Sequence, residues 1–477
     1  VWAWLLIACG VGAQLVRRQQ LPWVALACLL ALTYTVPLYQ NMTAGGVWDW
    51  PEAAAAYQSA QHSLAAGQFP GWNPYICGGV PSWADPQPYW PSITFVLTVL
   101  AGPVVGSKLA TTLYLGFGLI GMALLAQRLG FSRVASLFSA TLFIFSGFVA
   151  AHLVAGQMLW LTVAYVPWVL YCFLRSEDSR WWLVPSALAF VAILFEGRVY
   201  LNAYLVLWLP LLASGLAWQR RQLAPLISLL LWGSLAGGLA AVKLLPTLAF
   251  SRDLAGSLSE ETGIPVSRLL EVLTTRNVEL MSYQPDWLPL AWHEVAAYMG
   301  WPAVVLAALG IGLALWRRDK HWLPWLAGVV LFGSIAVAQT PDYNVLEYLP
   351  LARELHNPGR AISMLVLALA LLAGFGLDRL LGFIRDKRTR VLIATFIVVG
   401  LFADLALMAA GPLRQLYSQP LEAYTSDVLF RQVDGHADNG LHIVTAGFGA
   451  IDYCPPHNRK WRQDAAVERS GGNFVTS

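Results

Sequence analysis

Apolar residues fill this chain in long, nearly unbroken runs. They show neither the every-second-residue alternation of a half-buried strand nor the one-sided stripe of a soluble helix. A helix needs roughly 20 apolar residues to cross a hydrocarbon core of about 30 Å, and about a dozen runs approach that length. The pattern predicts spans at 1–16, 21–38, 106–126, 134–151, 158–174, 181–196, 199–218, 223–250, 296–316, 322–339, 361–382 and 391–411. Backbone groups in lipid must pair within their own segment, so these are helices; barrel-style alternation is absent. The first run is short and lacks a charged start. It reads either as a first helix with its N-terminus outside or as part of a chain that starts upstream, and no cleavable signal peptide is evident. Residues 90–104 are apolar too, but counting them as a span would invert everything after them. They read as a short helix lying on, or dipping into, the outer leaflet.

Composition then excludes the soluble globular class: 57% of residues are hydrophobic, 12% are charged and mean hydropathy is +0.56. Tryptophans such as Trp181, Trp182, Trp322 and Trp325 sit at the ends of apolar runs, as an interfacial belt predicts. Net charge of +3 averages over two compartments and says little about partners; no nucleic-acid partner is expected. Charge placement says more. Half of the 30 basic residues fall in six short loops at 17–18, 128–133, 175–180, 220–221, 317–320 and 385–390. The excess of Lys and Arg in short loops marks the cytoplasmic side. The long segments 39–105, 251–295, 340–360 and 412–477 then all face the other way, with no loop left over. Segment 412–477 turns polar and alternates weakly at His442-Ile443-Val444, which predicts a short extracytoplasmic region with strands. There is no internal repeat or low-complexity tract. The five cysteines have no metal-ligand spacing; Cys77 and Cys454 both fall outside, as a disulfide or as two free thiols.

Candidate chemistry concentrates in the first long loop. Asp49 stands between Trp48 and Trp50, about ten residues after a span, with the tryptophans read as interfacial anchors. A carboxylate partly buried at a membrane surface has a raised pKa and can take a proton from a hydroxyl. Equally, Asp49 is placed to cap the Ala-rich helix predicted over 51–66, with Pro51 and Glu52 in its first turn. Asp85 precedes Pro86 and reads as turn chemistry, or as a second acid or metal ligand. Three cations are candidates for holding a lipid phosphate. Lys243 lies inside a span, where an ionisable group is a functional-site hypothesis by default. Arg360 opens the span at 361–382, and Arg198 shares a tight hairpin with Glu196. The guanidinium fork suits phosphate. Snorkelling for Arg360 and a local Glu196–Arg198 ion pair are the plainer alternatives. His152, His293-Glu294 and His356 are further metal candidates, though no paired-histidine spacing occurs. Asn41-Met42-Thr43 fits a glycan-acceptor pattern beside the membrane.

The wording of the first loop resembles the YfhO-like family of bacterial membrane proteins. That family carries an Asp, a helix, and then a run reading here Gly67-Gln68-Phe69-Pro70-Gly71-Trp72-Asn73-Pro74-Tyr75-Ile76-Cys77-Gly78-Gly79-Val80-Pro81, with Gln87 shortly after. Looser matches follow at Phe145-Ser146-Gly147-Phe148, Trp160 to Pro167-Trp168, Tyr298-Met299-Gly300, Pro358-Gly359-Arg360 and Gly374-Phe375-Gly376. The likeness covers most of the chain to about 411. The family is grouped with the GT-C glycosyltransferases, which use polyprenyl-phosphate sugars at the outer membrane face. The resemblance implies a GT-C-like bundle of about eleven or twelve helices over 1–411, with Asp49 activating an acceptor and Arg360 meeting the donor phosphate. In this chain Arg198 stands where relatives are expected to carry His, and the C-terminal region is shorter than in longer members.

The expectation is therefore an all-α, multi-pass inner-membrane glycosyltransferase, with a polyprenyl-phosphate sugar donor and membrane lipids as partners. Asp49 and Asp85 are the candidate acids, with a divalent cation at that pair left open. Arg198, Arg360, Lys243 and Glu196 are the candidate phosphate-site residues. A transporter or lipid flippase, and a structural subunit with protein partners in a membrane assembly, are the alternatives from other classes.

Overall fold

The computed structural model describes residues 21–46, 48–73, 80–252, 263–276, 285–288, 291–338 and 357–416. Within these, the apolar runs form helices in the order α1 Leu21–Tyr39, α2 Trp50–Ala65, α3 Ile93–Ala101, α4 Pro103–Arg128, α5 Arg133–Ile144 and α6 Gly147–Val154. Next come α7 Val166–Arg175, α8 Leu183–Phe195, α9 Val199–Arg220, α10 Ala224–Arg252 and α11 Leu269–Thr274. The series closes with α12 Trp301–Trp316, α13 Leu323–Ala336, α14 Ile362–Gly382 and α15 Lys387–Leu416. Among the described residues, eight stretches are long and apolar enough to cross a membrane. The protein is an all-α multi-pass membrane protein.

Of the twelve predicted spans, 1–16 lies outside the described residues, and those at 181–196, 296–316 and 322–339 form shorter helices of 13, 16 and 14 residues. The others survive with local differences that trace to tertiary contacts. The run 134–151 is broken between α5 and α6 at Phe145-Ser146, because the Gly147 N–H donates to the Tyr298 carbonyl at 2.9 Å. A Cβ on Gly147 would lie 2.4 Å from the Tyr298 nitrogen, so only glycine admits that approach. The run 158–174 begins as a 3-10 helix, Met158–Tyr165, before α7. The span predicted from 296 starts at Trp301, where Gly300 turns the chain and Pro302 suits a first helical turn. The apolar stretch 90–104 yields only α3, nine residues long and too short to span, followed directly by α4. The last helix runs to Leu416; the rest of 412–477 lies outside the described residues, as do 1–16 and both Cys77 and Cys454.

Burial sorts the helices. The segment leading through α14 is 94% buried over its apolar window, whereas α15 is 22% buried and α10 is 28% buried, as helices facing lipid should be. Close packing around α14 depends on small residues: a Cβ on Gly310 of α12 would sit 2.0 Å from the Leu372 carbonyl oxygen of α14.

Polar groups collect at two opposite ends of the bundle. At one, the short basic loops meet: Arg128 pairs with Asp178 at 2.9 Å and Arg220 with Glu177 at 2.7 Å. Gln219 donates to the Lys320 carbonyl, and the Ser132 N–H to Asp378 at 3.3 Å. At the other end stand Asp49, the 155–157 turn, the 196–198 hairpin, Glu294 and Arg360.

Candidate functional site

Trp48 introduces Asp49 with a left-handed backbone, φ 62°, which costs a residue other than glycine about 1–2 kcal/mol. Trp48 is exposed, but Trp50 is buried rather than interfacial; it packs against Gly46 and Gly156, where a Cβ would clash. The Asp49 N–H donates to the Ala155 carbonyl at 3.1 Å, which fixes the loop to the turn after α6. Asp49 occupies the N-cap position of α2, yet its side chain makes no capping bond. The carboxylate instead faces the Gln157 amide. Its pKa is raised by burial, against the opposing pull of Gln157, His293 and Arg198. The capping role that competed for this side chain is not taken up.

Gln157 bridges to the next element by donating to Glu294 Oε1 at 3.3 Å. Glu294 grips Arg360 in a two-pronged pair, Nε to Oε2 at 2.7 Å and Nη2 to Oε1 at 2.8 Å. Asn357 Nδ2 adds a longer bond of 3.4 Å to Oε2. Burial alone would raise the Glu294 pKa, but the Arg360 charge and His293 override it and hold the carboxyl well below its ordinary range. Arg360 is thus partly buried and paired, with its guanidinium carbon 5.1 Å from the Tyr200 ring; it does not snorkel.

Arg198 differs. It is 4% exposed, lies 4.7 Å over the Trp160 ring, and its Nε has no hydrogen-bond partner. Among the described residues it makes no ion pair. Burial, followed by the like charge of Arg360, lowers its pKa to about 10, so it stays charged at neutral pH. The local pair with Glu196 does not form. Glu196 turns the opposite way, accepting bonds from Tyr114 and from Tyr165 at 2.8 Å. Burial raises its pKa to about 7 against those two hydroxyls. Glu196 therefore anchors the hairpin that presents Arg198.

Lys243 and Asp85 meet on the loop itself. The Lys243 ammonium donates to the carbonyls of Trp83 at 2.6 Å and Asp85 at 2.7 Å. The Asp85 carboxylate accepts the Gln87 N–H at 2.8 Å, the turn its Pro neighbour foretold. Lys108 of α4 does the same at the loop's other end, donating at 2.6 Å to each of the Asn41 and Ala44 carbonyls. Of the motif residues, Asn73 is buried, bridges Val80 and accepts from Ser59 at 2.8 Å, while Trp72 and Gln87 are exposed. Pro74, Gly78 and Gly79 lie outside the described residues, as does His356.

Asp49, Arg198 and Arg360 share one electrostatic centre, whereas Lys243 and Asp85 bond within the first loop and Glu196 bonds to Tyr114 and Tyr165. Reading by sequence missed Gln157 as the bridge and Glu294 as the partner of Arg360. The signal for Glu294 was the rule that a buried guanidinium near lipid needs a carboxylate. No three His, Cys, Asp or Glu side chains among the described residues converge to hold a metal ion.

No protein-family model matches the chain, and no curated protein sequence matches it. Its fold is similar to solved structures. The arabinofuranosyltransferase AftD from Mycobacteria superposes with a TM-score of 0.55 at 16% identity, over 88% of this chain and 29% of AftD. The chain thus spans under a third of that protein's length. ArnT from Cupriavidus metallidurans, solved bound to undecaprenyl phosphate, gives 0.47 at 15% identity over 92% of this chain and 85% of its own. The oligosaccharyltransferase AglB from Archaeoglobus fulgidus gives 0.42 at 12%, over 91% and 60%. The fold is GT-C-like.

Proposed function

We propose that this chain is a membrane glycosyltransferase that moves a sugar from a polyprenyl-phosphate donor to an acceptor hydroxyl at the outer membrane face, with inversion. The observation that carries the reading is Arg198: a buried guanidinium with no ion pair among the described residues, beside Arg360 and on the same electrostatic centre as the half-buried Asp49. Glu294 takes up the charge of Arg360, while Arg198, with no ion pair among the described residues, leaves its buried guanidinium to an anion such as a phosphate. The AftD-like fold agrees with that reading, as does the wording of the first loop.

In the reaction, Asp49 takes the proton of the acceptor hydroxyl as its oxygen bonds to the anomeric carbon. The anomeric carbon–oxygen bond to phosphate breaks, and the electron pair leaves with the polyprenyl phosphate. Arg198 and Arg360 meet that charge as it develops, and their fixed positions spare the cost of reorganisation. Glu294 and Gln157 act as positioning residues, holding Arg360 and Asp49 respectively. No step is routed through a metal.

The reading is tested by incubating the purified chain, in vesicles, with a panel of polyprenyl-phosphate sugars and following release of the lipid phosphate. Turnover of at least one donor, lost in Arg198→Gln, is expected. A chain that neither binds nor consumes any of them would refute it. The transporter alternative leaned on Lys243, whose bonds to loop carbonyls give it a structural task.

A further inference from the structure

At the end of the bundle opposite Asp49, a cavity of about 760 Å³ opens between the 130–134 turn and the adjoining ends of α12, α14 and α15. The 21-residue α14 separates the two sites, so about 30 Å lies between them. Arg317, Arg379, Lys387 and Arg390 line the cavity, with Asp378 as its one carboxylate. Elsewhere at this end, Arg128, Arg175 and Arg220 pair with Glu177 or Asp178. The cavity cations have no such relief. Among the described residues none of the four makes an ion pair. Arg390 spends its guanidinium on the Ile384 carbonyl at 3.0 and 2.5 Å, which leaves its charge in place. Asp378 is partly occupied by the Ser132 N–H.

The walls are apolar where the cavity meets the flank of the bundle. Phe383 is 79% exposed and Val391 48% exposed, and they continue into the lipid-facing row of Leu392 and Phe396 on α15. A cationic recess with an apolar doorway into the bilayer fits a ligand with an anionic head and acyl chains. A free anion would make no use of the doorway.

We propose that this cavity binds the headgroup of an anionic phospholipid from the cytoplasmic leaflet, the phosphate lying among Arg317, Arg379 and Lys387. The leaflet follows from the excess of basic residues in the loops at this end. Basic recesses between helices at that face recognise such headgroups. The site is independent of the glycosyl-transfer reading.

The full chain in a zwitterionic detergent is titrated with phosphatidylglycerol, phosphatidylcholine or inorganic phosphate, and bound lipid and melting temperature are followed. Phosphatidylglycerol should bind and raise the melting temperature, with little effect from the other two. Arg317→Gln with Lys387→Gln should weaken phosphatidylglycerol about 30-fold, since each basic group near a membrane surface contributes about fivefold. Arg180→Gln with Arg221→Gln removes the same charge elsewhere at this end and should leave binding unchanged. Arg317→Gln alone gives the same test, at about half the effect on a logarithmic scale, should the double variant not fold. Equal stabilisation by phosphatidylcholine, unaltered binding in the cavity variants, or an equal effect from phosphate alone would each overturn the proposal.

Discussion

Asp49 is where residue chemistry and the proposed reaction meet. Its carboxyl is raised above the ordinary range by burial, so it is a better base than a solvated aspartate and titrates at higher pH. A base must be deprotonated to work. Activity should therefore rise with pH along an acid limb displaced upward from the normal carboxylate value of about 4, and a pH–rate profile of kcat/KM measures it. A limb at the unperturbed position would mean that another group sets the protonation. At Arg198, Gln should lower kcat by about 10²–10³, the scale of losing one preorganised donor to a developing charge. Lys should recover part of that loss by restoring charge without the fork. Glu294→Ala strands Arg360 as a partly buried cation without its partner. Breaking such a pair costs about 3–5 kcal/mol, which chemical denaturation of the variant would register.

At the scale of elements, the first loop is held from both ends by lysines that rise out of the bundle. Lys108 ties residues 41 and 44, and Lys243 ties 83 and 85, each through backbone carbonyls. Replacing either with Met leaves two buried carbonyls short of a donor, at about 1–3 kcal/mol for each group left unsatisfied. Loop amides near the cut tether should exchange hydrogen faster, with kcat falling more than donor affinity. Unchanged exchange in both variants would show the loop to be held by other contacts. Lys243 also illustrates what a sequence can convey. An ionisable residue inside a span is conspicuous, but whether it faces a substrate or a carbonyl depends on a loop about 160 residues away in the chain, from Trp83 to Lys243. The Asp85-Pro86 turn, by contrast, was legible because it is local. So were the spans, since length and hydropathy alone determine them. The break at Phe145-Ser146 was not, because it answers to a carbonyl on Tyr298. Nor was the Glu294–Arg360 grip, which joins residues 66 apart.

For the molecule as a whole, charge along the sequence foretold a two-ended bundle, and the basic loops do gather at one end with the Asp49 centre at the other. AftD, whose fold is similar, is more than three times as long as the part that this chain covers. The centre is therefore where the account stands or falls. Its most direct test is a transfer assay in vesicles comparing the native chain with Asp49→Asn, alongside binding of polyprenyl phosphate to both. The variant is expected to bind the lipid phosphate as the native chain does while losing about 10²–10⁴ in rate, the contribution of a positioned base. Transfer at the native rate by Asp49→Asn, with binding intact, would contradict it.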